Sequence, residues 1–268
     1  MLNASPIFRM SEFPYTTQLQ AGLGRINENI SIIRLWEEGD TVSSLCEKAE
    51  SSGEFPKVTG RRLRNIVAEM FAPRFLQPDS TPARNLNRLL NILPQKAIEQ
   101  VVYLYTARAQ EIFHDFVTEV YWRSYEGGRS SIESEEIRNF IENALIEGKM
   151  RKHWEESTIK RVSGYLGGCC LDFGLVTRKP PSSYMIKSLY IEKEMALYLA
   201  HDLKFAGLSN SAIANHRDWG LWGMSQSDVI SQLKSLSIDG HFMVQDGAGI
   251  TEISWQYEKM EEVFHAVA

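Results

Sequence analysis

Apolar residues recur along this chain at helical intervals for most of its length. Leu19, Leu23, Ile26, Ile30 and Ile33 alternate steps of four and three, which predicts a helix over 19–36 ended by Gly39-Asp40. Thr41 to Ser51 is predicted as the next, with Val42, Leu45, Cys46 and Ala49 on one face and Gly53 as its stop. Behind Phe55-Pro56, Thr59 is placed to cap a third helix. It turns Leu63, Ile66, Val67, Met70 and Phe71 inward, and Pro73 is expected to close it. The proline-punctuated stretch Pro78 to Pro94 carries Leu86, Leu89, Leu90 and Leu93 and predicts a short helix. Gln95 to Arg123 reads as one or two long helices.

Glu126-Gly127-Gly128 is the clearest internal break. Ser130 and Glu133 have capping-box spacing, ahead of a helix that buries Ile137, Phe140, Ile141, Ala144 and Leu145 and stops at Gly148. A basic connector, Lys149 to Trp154, leads to Ser157 as the next cap. The helix behind it buries Ile159, Val162, Leu166, Cys169 and Phe173, and Gly174 ends it. Pro180-Pro181 reads as a boundary. Beyond it, Tyr190 to Phe205 is helical in pattern, and Ser225 with Asp228 caps a helix holding Val229 and Leu233. Two short strands, His241–Gln245 and Thr251–Tyr257, then flank the turn Asp246-Gly247-Ala248-Gly249. Helices followed by a hairpin are the order of a winged-helix unit.

The expected fold is therefore all-α dominated: a helical globular chain with two helix-turn-helix elements and a small C-terminal winged-helix-like hairpin. Three domains are expected. Residues 1–125 hold the first helix-turn-helix, 126–180 the second, and 181–268 the winged-helix-like unit. Composition fits a folded globular protein, with 43% hydrophobic and 24% charged residues. The richest apolar run, Tyr165 to Val176, contains Asp172 and three glycines and reads as a core helix, not a membrane span. The N-terminus lacks signal-peptide order, and three cysteines make no disulfide framework, so a cytoplasmic location is expected.

Charge changes the picture more than composition does. The chain is acidic at −5, yet Lys57 to Arg88 carries seven cations against Glu69 and Asp79, and residues 148–180 carry seven against three. An acidic protein with local basic concentrations suits a DNA binder that avoids sticking everywhere. The pair Thr41–Ser51 and Thr59–Ala72 presents Arg61, Arg62, Arg64 and Asn65 opposite its apolar stripe, with Lys57 before it and Arg74 after it. Helix N-termini and cations meet phosphates, while Arg and Asn read guanine and adenine edges in the major groove. The plainer alternative is a solvated basic face, since this connector exceeds the usual three or four residues. The pair Ile132–Glu147 and Thr158–Phe173 offers Thr158, Lys160 and Arg161, with Lys149, Arg151 and Lys152 in its connector. Gly164 and Gly168 there are compatible with close helix packing. The helix in the reading position of the C-terminal unit, Gln226 to Ser237, has Lys234 as its one cation, which fits a packing or partner-binding role better.

Catalytic chemistry finds no foothold. The chain lacks a Walker-type loop, H-E-x-x-H, G-x-S-x-G and paired cysteine motifs with zinc spacing. Cys169-Cys170 lies on an apolar helix face, where thiols are inert. Trp219-Gly220-Leu221-Trp222-Gly223 reads as a hydrophobic plug. No enzyme activity, cofactor or metal is expected.

Several segments, taken in order, resemble the BrxA family of bacteriophage-exclusion (BREX) systems. They are Ala21-Gly22-Leu23 with Ile26-Asn27-Glu28 and Arg34-Leu35-Trp36, then Thr59-Gly60-Arg61-Arg62-Leu63-Arg64 running into Phe71-Ala72-Pro73-Arg74. The Ser157–Val176 helix, Asp218 to Met224, and Ile253 to Tyr257 ahead of Met260 to Val263 complete the set. The resemblance implies a core defence component with two helix-turn-helix elements facing double-stranded DNA. It also implies the company of a methyltransferase, a phosphatase-like protein, an ATPase and a Lon-like protein. The rival expectation is a protein–protein adaptor whose helix-turn-helix elements are scaffold.

Overall fold

Helix α1 (Ile26–Leu35) starts seven residues later than the apolar stripe predicts, and the cause lies far away in the chain. The computed structural model describes residues 14–21, 24–247 and 250–267. Within it, Asp172 Oδ2 accepts hydrogen bonds from the backbone N–H groups of Gly24 (3.0 Å) and Arg25 (3.2 Å). Arg25 takes a left-handed φ of 38°. In the stretch expected as one helix, the described residues form a short 3₁₀ turn, Gln18–Ala21, and α1, which begins only after Gly24 and Arg25. Leu19, Ile30 and Ile33 are still buried. Leu23 lies outside the described residues, as do Ala248 and Gly249.

Of the described residues, the larger of two compact units takes those within 14–87 and 102–189. Helix α2 (Val42–Ser51) begins at the expected Thr41, whose hydroxyl accepts from the Ser44 N–H while Ser44 Oγ accepts from the Thr41 N–H. Gly53 ends the segment at φ 74°. Thr59 caps α3 (Gly60–Asn65), but Pro73 does not close that helix. The chain continues through a π-helical turn, Ile66–Phe71, into α4 (Ala72–Phe75). The Ala72 N–H reaches back five residues to the Val67 carbonyl, and Pro73, which has no N–H to place, sits in the first turn of α4. Helices α5 (Thr81–Leu89) and α6 (Gln95–Ala109) follow. After Gln110 come α7 (Glu111–Phe116), a second π-helical turn over Val117–Tyr121, and α8 (Trp122–Glu126). Phe71, Phe75, Tyr103, Phe113, Phe116 and Tyr121 are fully buried and form the aromatic core of this unit.

The second half of the unit contains a sheet that the periodicity did not predict. Strand β1 (Ser131–Glu133) precedes α9 (Ser134–Ile146) and α10 (Glu156–Asp172). After α10 come β2 (Val176–Lys179) and β3 (Ser183–Ile186). The antiparallel order is β1-β3-β2, with Ser131 opposite Met185 and Val176 opposite Ile186. Pro180-Pro181 forms the turn between β2 and β3. Two caps sit differently from expectation. The box at α9 uses Glu133 and Glu136, because Ser131–Glu133 form β1 and the helix starts only after them, and the N-cap position of α10 is Glu155, two residues before Ser157. Gly148 and Gly174 end their helices with positive φ, as the sequence predicts.

The smaller unit comprises residues 88–101 and 190–267. It holds α11 (Lys193–Phe205), α12 (Asn210–Ala214), a 3₁₀ turn over Arg217–Trp222, and α13 (Gln226–Ser237). An antiparallel hairpin follows, β4 (Phe242–Gly247) with β5 (Ile250–Trp255), and then α14 (Met260–Val267). The Trp219 side chain is buried as the plug expected there, and its indole N–H donates to the Ile213 carbonyl at 2.8 Å. His201 is fully buried among Phe205, Phe242, Trp255 and Tyr257, with ring centres 5.0–6.0 Å away. The chain as a whole is helix-dominated with small sheets.

Candidate nucleic-acid interface

Helix α10 separates its faces cleanly. Ile159, Val162, Leu166, Cys169 and Cys170 are buried, and Ser157, Lys160, Arg161 and Gly164 are exposed on the other side. Neither Lys160 nor Arg161 forms an ion pair among the described residues. Their charge is therefore available to an outside anion. Burial raises the pKa of both thiols, Cys169 and Cys170, so they remain protonated and apolar. Thr158 is half-buried in the first turn, behind the exposed pair.

The β2–β3 hairpin adds two cations that sequence reading missed. Arg178 and Lys179 are exposed at the end of β2, directly before the Pro180-Pro181 turn. The signal was present: two four-residue runs, Val-Thr-Arg-Lys and Ser-Tyr-Met-Ile, flank the two prolines. A groove of about 700 Å³ runs between α9 and α10, lined in part by Arg138, Glu142, Glu156, Lys160 and Gly164. Arg138 crosses it, donating to Glu142 on its own helix (2.7 Å) and to Glu156 on α10 (2.8 Å). That cation is neutralised locally.

The connector cations divide. Arg151 and Lys152 are exposed, whereas Lys149 is drawn inward. Its ammonium lies 3.3 Å from Glu147, 3.7 Å from Asp115 and 5.3 Å from the centre of the Tyr15 ring. Burial opposes that charge, but Glu119, Asp115 and Glu147 outweigh it and raise the Lys149 pKa. Trp154, buried, pins the end of the connector.

The first predicted element keeps part of its basic face. Lys57 and Arg61 are exposed, and Arg62 and Asn65 are half-buried. Arg64 is exposed but paired with Glu50 of α2 at 2.5 Å. Arg74 requires a correction. The sequence pattern groups it with the surface cations, yet it is only 3% exposed and donates to the Gly24 carbonyl at 3.1 Å. Burial lowers its pKa to about 10, against the pull of Cys169 and Asp172. Because the helix continues past Pro73, Arg74 points into the core beside the α1 break. It cannot touch DNA.

Among the described residues no group of three or more His, Cys, Asp or Glu is arranged to hold a metal ion. No described helix is long and apolar enough to cross a membrane.

With this geometry in place, the comparison with known families is decisive: the BrxA family profile matches residues 13–202. The chain belongs to the BrxA family. BrxA proteins are components of BREX phage defence, so membership implies that role and the presence of other system components. The match covers α1 to α10, the β1-β3-β2 sheet and most of α11. The Asp218–Met224 and Ile253–Tyr257 segments, which also carry the resemblance, lie beyond it. A crystal structure titled as that of an uncharacterized protein from Magnetospirillum magneticum is similar in fold. Its TM-score is 0.56 at 18% identity, covering 72% of this chain and 95% of that one. No curated protein matches.

Proposed function

We propose that this BrxA-family protein binds double-stranded DNA through residues 131–186, acting as a winged helix-turn-helix with no chemistry of its own. Helix α10 is the reading helix, α9 its support, and the β2–β3 hairpin the wing. The observation that carries this reading is the strand order β1-β3-β2 wrapped around α9 and α10, with Lys160 and Arg161 exposed and unpaired on the outer face of α10. A first strand before the helix pair, returning to pair with the last strand of a hairpin, is the connectivity of a winged helix. It sets the basic wing residues Arg178 and Lys179 immediately after the reading helix. In such modules the helix enters the major groove and the flanking cations grip phosphates.

Helices α2 and α3 serve as a second, weaker contact. Thr59 caps α3, and Lys57, Arg61 and Arg62 form no ion pair among the described residues, while Glu50 takes up Arg64. The smaller unit follows the same order of helices and hairpin but is acidic. That acidic balance favours contact with protein, not nucleic acid, and so a place beside other BREX components. The test is duplex binding across a salt titration for the wild-type chain and Lys160→Ala/Arg161→Ala, with melting temperature measured alongside. Loss of affinity without loss of stability supports the reading. Unchanged affinity in a stable variant removes α10 from the interface.

A further inference from the structure

Glycine inside a helix is costly, because its backbone is freer in the unfolded chain and it has no side chain to shield the helix. Three structural reasons normally explain one: a positive φ, a close neighbour, or a helix end. Gly164 has none of them. It lies in the middle of α10, is absent from the residues with positive φ, and a Cβ built on it meets nothing within 4 Å. Other glycines of the same unit contrast with it. A Cβ at Gly167 would come 2.4 Å from Tyr184, and one at Gly24 would come 2.6 Å from Asp172. Packing within the chain therefore accounts for Gly167 and Gly24 but not for Gly164.

Position supplies the reason. Gly164 is four residues after Lys160 and three after Arg161, so all three share one exposed helix face. It also lines the groove beside Lys160. We propose that Gly164 is the point of closest approach between α10 and the DNA duplex. Its bare backbone is a positioning feature that lets the helix seat deeply enough for Lys160 and Arg161 to reach the duplex together. This inference rests on the DNA-binding reading above and adds to it the steric determinant of how α10 docks.

The two roles of a glycine, folding and docking, pull in opposite directions here, and that makes the test sharp. Gly164→Ala and Gly164→Leu replace glycine with strong helix formers in open space. Both should melt at or above the wild-type temperature, by up to a few degrees. Duplex affinity should nonetheless fall, slightly for alanine and on the order of tenfold or more for leucine, because the larger side chain holds the helix off the duplex. The salt slope should flatten for leucine, toward that of Lys160→Ala/Arg161→Ala, because the cations no longer reach the phosphates. Lys160→Ala/Arg161→Ala measured in parallel separates the two claims. If that variant weakens binding while both Gly164 variants bind as wild type, the closest-approach inference is wrong and the DNA reading stands. If the wild-type chain retards no duplex at low salt, both are wrong.

Discussion

Gly167 of α10 lies beneath the phenol ring of Tyr184 in β3. A Cβ at position 167 would stand 2.4 Å from the Tyr184 hydroxyl and 2.5 Å from Cζ. Helix α10 and the hairpin behind it are docked through this absence of a side chain. Tyr184 is itself only 9% exposed, so its ring has little room to move aside. Gly167→Ala should therefore lower the melting temperature of the chain. Overpacking costs about 1–3 kcal/mol, against about 1 kcal/mol recovered from helix propensity. Combining it with Tyr184→Ala should give less destabilisation than the sum of the two single changes, the coupling expected of residues in contact. Additive losses would show that the two residues are not packed as described.

Arg74 should behave as a core residue and not as a DNA contact. Arg74→Met leaves Asp172 and the Gly24 carbonyl with one partner fewer at the start of α1. Losing a buried hydrogen bond made by a charged group costs about 1.5–3 kcal/mol, so thermal stability should fall. The salt slope of DNA binding by the remaining folded protein should not change. A flatter slope at wild-type stability would return Arg74 to the interface.

The wing makes its own prediction. Arg178 and Lys179 are exposed, so Arg178→Ala/Lys179→Ala should leave stability within about 0.5 kcal/mol of wild type. Each lost phosphate contact should flatten the log–log salt slope by about one unit, for any duplex sequence. Competition binding at several salt concentrations reads this directly. A wild-type slope for the double variant would reduce the hairpin to scaffold.

The smaller unit carries a pH signature. Burial lowers the pKa of His201 to about 4, with an opposing pull from its bond to the Leu197 carbonyl. The unfolded chain binds that proton near pH 6.5. Stability from this site is therefore complete above about pH 6.5 and declines as pH falls toward 4, by on the order of 3 kcal/mol in all. His201→Phe, which keeps an aromatic ring inside the cage, should flatten the dependence of melting temperature on pH across that window. An unchanged dependence would mean that His201 is not the group responsible.

What could be read from the sequence followed from how local each feature is. Helices α2, α9 and α10 and their stops at Gly53, Gly148 and Gly174 rest on local apolar spacing and matched, and so did the Thr41 cap, whereas the caps of α9 and α10 fell elsewhere. The break before α1 depends on Asp172, 148 residues from Gly24, and no window of neighbouring residues contains it. The three-stranded sheet was missed because β1 has three residues and its partner begins at Ser183. Strand β1 is too short to show an alternation, and only the runs on either side of Pro180-Pro181 carried a strand signal. Arg74 was misplaced for a related reason: Pro73 normally stops a helix, and a π-helical turn carried the backbone past it. The cations at 57–64, 151, 152, 160 and 161 were legible as a basic pattern. Which of them are paired away, such as Arg64 with Glu50 and Lys149 with Asp115 and Glu147, depended on tertiary neighbours.

The most direct test of the central claim is the affinity of the chain for a duplex, measured across a salt titration before and after Lys160→Ala/Arg161→Ala. Four to six phosphate contacts predict a wild-type log–log slope of roughly −4 to −5 on B-DNA. The variant should melt at the wild-type temperature, bind every duplex more weakly, and show a slope flatter by about two units. A variant that is equally stable and binds with the wild-type affinity and slope would contradict the account, because α10 would then not face DNA.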